Sequence, residues 1–322
     1  MVKTKNSSPT QPTSPSDQLD LRPGQSIELL KALHILTREG KLNQDSRRKL
    51  KQVKHLFQFI EKPLMEMLTQ RLAHGNTAPI TLADHGAGKS YLGFMIHDLF
   101  FKPQQLVHGR SVGQVIGIET RPELVAASQQ LAQQLGFAEG MQFVNASVSQ
   151  ATADESLPEQ IDVVTALHAC DTATDDAIAF GLAKHAKFMA LVPCCQAEVA
   201  ACLRQDKALQ LARTPLAELW RHPLHTREMG SQITNVMRCL YLESQGYQVT
   251  VTELVGWEHS MKNELILARF TGQRKHSAGQ RLKALLQEFA LEPLLGTRYP
   301  GLAGGVPAPG AETTTWAPPS CQ

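Results

Sequence analysis

The chain has 322 residues, of which 42% are apolar and 19% charged, and its formal net charge is +2. This length can bury a full domain core with additions, and so small a charge excludes a general affinity for nucleic acid that rests on charge alone. The 6 cysteines are irregularly spaced, which excludes the disulfide framework of a small secreted domain. We therefore expect a soluble protein of a reducing compartment, the cytoplasm.

Both ends of the sequence have compositions that disfavour a packed core. Residues 1–25 carry Ser, Pro and Thr without an apolar run, so we expect neither a signal peptide nor a membrane span there. Residues 293–322 are rich in Gly, Pro and Thr. The sequence predicts disordered tails over both ranges.

A helical extension is predicted over 26–76, and its second helix has a cationic face. Arg47, Lys51 and Lys54 recur at i, i+4 and i+7, so they share one side of a helix. Two interpretations remain open: the region 47–55 contacts RNA, or it is a solvated surface. Arg48, Lys49 and His55 lie beside this face, and Leu50, Val53, Phe57 and Ile60 form the adjoining apolar stripe.

The segment 80–94 reads as a buried strand, a glycine-rich turn and a helix. Glycines let the backbone turn sharply and approach a ligand, and the following helix directs its free N–H groups at that ligand. A loosened phosphate-binding loop would use Gly88, Lys89 and Ser90. However, Asp84 at the strand tip would repel a phosphate and suits a cationic, phosphate-free ligand such as S-adenosylmethionine. The predicted helix has apolar residues at i, i+3, i+4 and i+7, the spacing of one buried face: Leu92, Met95, Ile96 and Leu99.

A second acid follows the next predicted strand, 114–119. Glu119 stands where nucleoside-binding folds place an acceptor for ribose hydroxyls. It lies 35 residues beyond Asp84, against a usual separation of about 20. We attribute the difference to an inserted loop over 101–112.

Strands and helices then continue to alternate, which is typical of α/β proteins. The pattern predicts a seven-stranded, Rossmann-like sheet with helices on both faces, followed by a C-terminal helix over 273–292. A second basic segment falls in that region, at 274–283. The remaining strands are predicted at 141–145, 161–167, 187–192, 247–254 and 264–270, and helices at 174–185 and 196–245.

Four motifs in order, at 84–92, 167–175, 192–196 and 258–263, resemble a subgroup of class I S-adenosylmethionine-dependent methyltransferases. This subgroup contains the ribosomal-RNA-adenine-dimethylase-domain-containing proteins and their bacterial relatives. The resemblance covers 49–270 and implies a methyltransferase domain over 77–272 that uses S-adenosylmethionine. The cofactor residues that it implies are Asp84, His85, Gly86, Ala87 and Gly88 in the turn, Glu119 at the ribose, Asn145 or Ser147 at the adenine, and Leu167.

The tip of the fourth strand is where class I methyltransferases usually hold the methyl acceptor. His168 and Asp171 are the candidates for orienting the acceptor and taking its proton, although both could instead order the loop by capping. Cys170 at the fourth strand tip and the pair Cys194 and Cys195 at the fifth resemble the two cysteine positions of RNA cytosine-C5 methyltransferases, in which one thiolate attacks the base. Of the pair, Cys195 is the catalytic candidate. The alternative is that these cysteines only pack or line the pocket.

A zinc site built from His168, Cys170, Cys194 and Cys195 is less favoured, because neighbouring cysteines rarely reach one ion. No metal is therefore predicted. His259 and Lys262, between the last two strands, are further candidates for the acceptor pocket, with a polar hairpin turn as the alternative.

RNA is the favoured acceptor and a protein side chain the second choice. The competing hypotheses are a nucleotide-binding protein that uses the phosphate-loop pattern and a non-catalytic binding module that keeps the fold.

Overall fold

The computed structural model describes residues 21–302 apart from 43, 168–169, 195, 205–214 and 255–263. Its centre is a seven-stranded sheet with the strand order β3-β2-β1-β4-β5-β7-β6. The first five strands are parallel, and β7 pairs antiparallel with both β5 and β6. This architecture confirms the predicted fold class. The strands are β1 (Ile80–His85), β2 (Gly113–Glu119), β3 (Met141–Asn145), β4 (Val163–Leu167), β5 (Phe188–Val192), β6 (Tyr247–Glu253) and β7 (Glu264–Phe270).

Strand residues alternate between two hydrophobic cores, one on each face of the sheet. Leu82 and Val163 belong to the first core, whereas their neighbours Ala83 and Val164 belong to the second. Successive side chains of a strand point to opposite faces, and a parallel sheet that is covered on both sides therefore has apolar residues at nearly every position. This is why the strands appeared in the sequence as continuous apolar runs.

Helices cover both faces, and among the described residues none is long and apolar enough to cross a membrane. They are α1 (Ile27–Ala32), α2 (Gln44–Ala73), α3 (Tyr91–Ile96), α4 (Lys102–His108), α5 (Pro122–Gln134), α6 (Val148–Ala153), α7 (Ala173–Ala183), α8 (Glu198–Leu203), α9 (Pro223–Ser244), α10 (His276–Glu288) and α11 (Leu294–Arg298). A π-helical turn, His97–Phe101, joins α3 to α4, and a 3₁₀ helix, Pro215–Trp220, precedes α9.

Helix α2 runs across the sheet from the carboxyl ends of the parallel strands to their amino ends. In its first half, His55 Nδ1 is hydrogen-bonded to the carbonyl of Leu254, which directly follows β6. Near its end, Arg71 donates to the carboxylate of Asp162 at 2.6 Å, and Asp162 directly precedes β4. Since β6 ends at the edge where β4 and β5 end, the first half of α2 lies at the carboxyl edge of the parallel strands.

Two predicted elements were wrong. The segment 101–112, predicted as an inserted loop, is helical through His108, because the π-helical turn carries the chain of α3 directly into α4. The long helical stretch predicted over roughly 196–245 is not continuous: α8 ends at Leu203, and Pro215 and Pro223 begin two further helices. Proline fits the first turn of a helix, where its missing N–H costs no hydrogen bond, so each of these two prolines marks a helix start.

The predicted tails also begin and end elsewhere. Arg22 forms an ion pair with Glu61 at 2.6 Å, so the chain already packs against α2 before residue 26. At the other end, α11 and Tyr299 lie in the second core, because Tyr299 is only 2% exposed and stacks edge-on against Tyr241. Residues 1–20 and 303–322 lie outside the described residues.

Candidate functional site

The glycine-rich turn follows β1 and lies at the carboxyl edge of the sheet. Gly86 and Gly88 have φ values of +63° and +57°, in the left-handed region that glycine adopts without strain. A Cβ added to Gly86 would meet no atom within 4 Å, so the outer side of the turn faces open space. The Ala87 amide between them donates to the carbonyl of Ile118 at 3.1 Å, which fixes the turn against β2.

Asp84 lies beneath this turn and is 2% exposed. Its carboxylate accepts hydrogen bonds from Thr165 Oγ1 at 2.8 Å and from Ser90 Oγ at 3.2 Å. Burial raises the pKa of Asp84 to about 6, although the bonds from Thr165, Ser90 and the Gly93 backbone partly offset this rise. The carboxylate is thus held by protein hydroxyls on the inner side of the turn.

Glu119, at the end of β2, is bound to the same turn. Its Oε2 accepts from the Gly88 amide at 2.7 Å, and its Oε1 accepts from Arg121 Nε at 2.9 Å. Burial alone would raise the pKa of Glu119, but the hydrogen bonds from Arg121 and Gly88 outweigh it and lower the pKa to about 2. An ionised carboxylate therefore stands beside the turn, where nucleoside-binding folds place an acceptor for ribose hydroxyls, and it is paired with the exposed side chain of Arg121.

His85, the last residue of β1 before the turn, is buried in the core. It is 6% exposed and its ring lies 6.0 Å from that of Phe180 on α7. Neither ring nitrogen has a hydrogen-bond partner among the described residues. Burial lowers the pKa of His85 to about 4, so the ring is neutral near pH 7.

Asn145 and Ser147 follow β3. The Asn145 side-chain amide donates to the carbonyls of Glu119 and Thr120 at 3.0 and 2.9 Å. Because both N–H groups are used, Oδ1 is the side-chain atom of Asn145 that can accept from an adenine amino group. Ser147 is the N-cap of α6 and forms a capping box with Gln150.

The structure describes only part of the loops after β4 and β5, where the sequence predicts that the methyl acceptor binds. Leu167 is the last residue of β4 and pairs with Val192 at the end of β5. His168, Cys195, and the segment with His259 and Lys262 lie outside the described residues. Beyond these two strand ends, the sulfur atoms of Cys170 and Cys194 are 3.1 Å apart.

Asp171 has a structural contact that differs from its predicted catalytic role. Its Oδ1 accepts from the amides of Ala197 and Glu198 at 2.9 and 3.3 Å, at the start of α8. Asp171 itself has φ of +48°, a conformation that non-glycine residues adopt rarely. The side chain thus connects the loop after β4 to the loop after β5.

A buried polar network that the sequence reading missed supports these loops from α9. Arg238 is fully buried, donates to both carboxylate oxygens of Asp175, and donates to the Asp171 carbonyl at 2.8 Å. Asn235 accepts from Gln196 at 3.1 Å and donates to Glu264, the first residue of β7. The detectable signal was the spacing of Ser231, Asn235 and Arg238 at i, i+4 and i+7, which places the three polar side chains on one side of the helix.

Residues 48–202 match the family model described as a methyltransferase domain. No curated protein matches the sequence significantly.

Similar solved structures include magnesium protoporphyrin IX methyltransferase from Synechocystis PCC 6803 with bound S-adenosylmethionine, at 12% identity and a TM-score of 0.36, covering 78% of this chain and 100% of that one. Fibrillarin, a pre-rRNA processing protein of Methanococcus jannaschii, has 11% identity and a TM-score of 0.36, covering 61% and 68%. TrmK of M. capricolum, in complex with S-adenosylhomocysteine, has 9% identity and a TM-score of 0.36, covering 69% and 83%.

Proposed function

We propose that this S-adenosylmethionine-dependent methyltransferase modifies RNA. The methyltransferase domain matched over 48–202 and the seven-stranded sheet give the enzyme class and the cofactor. What remains to be assigned is the acceptor and the residues that hold each reactant.

Bound S-adenosylmethionine supplies the methyl group, and the residues of the turn fit this cofactor. Glu119 offers a charged acceptor to the ribose hydroxyls, and Asn145 Oδ1 offers one to the adenine amino group. Gly86 allows the cofactor to approach the backbone, because a Cβ there would meet no atom within 4 Å, and Gly88 completes the left-handed turn. Asp84 adds a buried negative charge beneath the turn, which favours a cationic ligand above it.

The acceptor would enter at the ends of β4 and β5. Methyl transfer from a sulfonium is an in-line displacement, so the protein mainly has to orient the acceptor. We assign Asp171 to positioning rather than to proton transfer, because its carboxylate holds the amides of Ala197 and Glu198. His168, Cys170 and Cys195 remain the candidates for contact with the acceptor itself.

The observation that carries RNA as the acceptor is a basic cleft on the first half of α2. The cleft has a volume of about 440 Å³. It lies at the carboxyl edge of the sheet, because one of its lining residues, His55, is bonded to Leu254 after β6. A cationic cleft at the edge that holds the cofactor suits a phosphate backbone. It is lined by Leu42, Arg47, Leu50, Lys51, Lys54, His55 and Gln58.

The four sequence motifs also support RNA, since they resemble those of the ribosomal-RNA-adenine-dimethylase-domain-containing proteins. The first test is transfer of a labelled methyl group from S-adenosylmethionine to total cellular RNA and to total cellular protein, in parallel. We expect label in RNA that nuclease releases. Label confined to protein would reject RNA and make a protein side chain the acceptor.

The second test asks whether the basic cleft binds the acceptor. The double variant Lys51→Ala/Lys54→Ala should weaken RNA binding and lower the slope of log affinity against log salt by about 1.4 to 1.8, the release expected from two phosphate contacts. The matched control is Arg110→Ala/Arg269→Ala, which removes two charges at the opposite edge, before β2 and at the end of β7. Equal effects from both double variants would reject the cleft as the RNA site.

A further inference from the structure

Two thiols face each other beyond the ends of β4 and β5. We call this part of the carboxyl edge, where the methyl acceptor would enter, the acceptor edge. Cys170 follows β4, is exposed, and lies with its Sγ 3.1 Å from the Sγ of Cys194, which follows β5. The two strands are neighbours and end in register, with Leu167 opposite Val192. A disulfide requires an S–S distance of about 2.05 Å, so the bond needs a contraction of only about 1 Å.

The backbones around these thiols are tied together by other contacts. Asp171, next to Cys170, accepts from the amides of Ala197 and Glu198, three and four residues beyond Cys194. The carbonyl of Asp171 is held in turn by the buried Arg238 at 2.8 Å. The two loops would therefore stay together without the thiols, and this proximity gives the second thiol a high effective concentration.

Two other cysteines provide an internal comparison. Burial raises the pKa of Cys202, and burial, with help from Glu264 and Glu243, raises the pKa of Cys239 to about 12. The thiolate is the form that reacts with oxidants, so these two cysteines are poor targets. The exposed Cys170 is the better one.

We propose that Cys170 and Cys194 are a site of oxidative modification, at which a hydroperoxide forms a disulfide that closes the acceptor edge. The Cys170 thiolate attacks the peroxide oxygen, the O–O bond breaks, and a sulfenic acid and an alcohol or water result. The Cys194 sulfur then attacks the sulfur of the sulfenic acid. The S–O bond breaks, hydroxide leaves and takes the remaining proton as water, and the two thiols have given two electrons to the peroxide.

The disulfide would fix both loops at the place where the acceptor must enter. This regulatory consequence depends on the proposed function, whereas the disulfide itself does not. The cofactor turn follows β1 and is bonded to β2, whereas the thiols follow β4 and β5, so oxidation should leave S-adenosylmethionine binding in place.

The test uses the full chain, reduced and then treated with a small excess of hydrogen peroxide, blocked with iodoacetamide and digested with trypsin without reduction. We expect mass spectrometry to find peptide 111–184 linked to peptide 188–204. The second peptide carries Cys194, Cys195 and Cys202, so variants are needed to assign the bond. Cys194→Ser should abolish the link, while Cys195→Ser and Cys202→Ser should keep it. Absence of the link in the unmodified chain, or its persistence in Cys194→Ser, would overturn the proposal.

Two further measurements separate the alternatives. If the thiols instead bind a soft metal, zinc will copurify with the chain and peroxide will form the link only after a chelator is added. That result would also overturn the proposal.

The regulatory part is tested by methyl transfer to the acceptor that the labelling test identifies, whether RNA or protein. The rate of transfer should fall at least tenfold on oxidation and recover with dithiothreitol. Full transfer by the oxidised chain would reject closure, independently of which acceptor is found.

Discussion

Two buried carboxylates of this protein have opposite electrostatic environments. Asp84, at the end of β1, has a raised pKa because burial outweighs its hydrogen bonds. Asp162, before β4, is also buried, yet its pKa is lowered, because bonds from Thr81 and Lys187 and the charge of Arg71 outweigh burial. The first carboxylate is costly to ionise without a cationic ligand, and the second is stabilised by the protein itself.

We expect Asp84→Asn to stabilise the cofactor-free protein near pH 7 and to weaken the cofactor. The pKa of Asp84 is raised from 3.8 to about 6, so its ionisation costs the fold up to about 3 kcal/mol. In the unmodified chain this contribution makes stability fall as pH rises from about 4 to about 6. Denaturant unfolding at several pH values should show that fall, and the variant should lack it.

The same substitution should reduce S-adenosylmethionine affinity about tenfold, since a negative charge near a cationic ligand is lost. S-adenosylhomocysteine, which has no sulfonium charge, should lose less, and calorimetry compares the two. Asp162→Asn is the control: it should destabilise the protein at pH 7 and leave cofactor binding unchanged. Equal loss of both ligands in Asp84→Asn would remove Asp84 from the cofactor site.

At the scale of elements, the short helix α3 depends on a close approach that only glycine allows. A Cβ on Gly93 would lie 2.5 Å from Ser90 Oγ and 3.0 Å from Val115 Cγ1. Ser90 is fully buried and donates to Asp84, so it has no room to move without losing that bond. Gly296, in α11, differs because a Cβ there would meet no atom within 4 Å.

We therefore expect opposite effects from the same substitution in two helices. Gly296→Ala should stabilise the protein by up to about 1 kcal/mol, the usual difference in helix propensity. Gly93→Ala should destabilise it by at least about 1 kcal/mol, because the clash outweighs the same gain, and should weaken cofactor binding. Thermal unfolding and calorimetry measure both. Stabilisation of Gly93→Ala would contradict the packing of α3 against Asp84.

The strands could be predicted because each is buried on both faces and so appears as an apolar run. The π-helical turn His97–Phe101 could not, since it adds a residue to the helical repeat and shifts the apolar spacing. Pro103 lies in the first turn of α4, where proline is tolerated, so it does not end the helical segment.

In the candidate site too, features of a single element were predictable from the sequence and contacts between elements were not. Asp84 and Glu119 were predictable because each lies at the carboxyl end of an apolar strand. Two of their partners were not, because Thr165 reaches Asp84 from β4 and Gly88 reaches Glu119 from the turn after β1. The network of Arg238 joins α9 to the loops after β4 and β5, and such long-range pairing leaves only a faint polar stripe in the sequence.

For the whole molecule, segments outside the sheet complete both cores and brace the acceptor edge. Helix α2 contributes Leu56, Phe57 and Ile60 to the first core. The C-terminal segment contributes Leu294 and Tyr299 to the second. The acceptor edge is thus supported by parts of the chain that lie far from it in sequence.

The C-terminal segment also reaches the acceptor edge through an ion pair. Arg298 binds Glu198, the first residue of α8, with nitrogen–oxygen distances of 2.7 and 2.9 Å. The Glu198 amide is one of the two donors to Asp171. Tyr241 adds a hydrogen bond from its hydroxyl to the carbonyl of Pro300 at 2.9 Å.

Truncation tests this connection. A chain that ends at residue 293 loses Leu294, Tyr299 and the partner of Glu198, and we expect its free energy of unfolding to fall by at least about 3 kcal/mol, as for removal of large buried side chains. A chain that ends at 302 keeps all three groups and is the matched control. The difference in denaturant midpoint between the two chains isolates residues 294–302. Because α8 would lose its brace, methyl transfer should fall further than S-adenosylmethionine affinity, and equal stability of the two chains would show that the C-terminal segment does not support the fold.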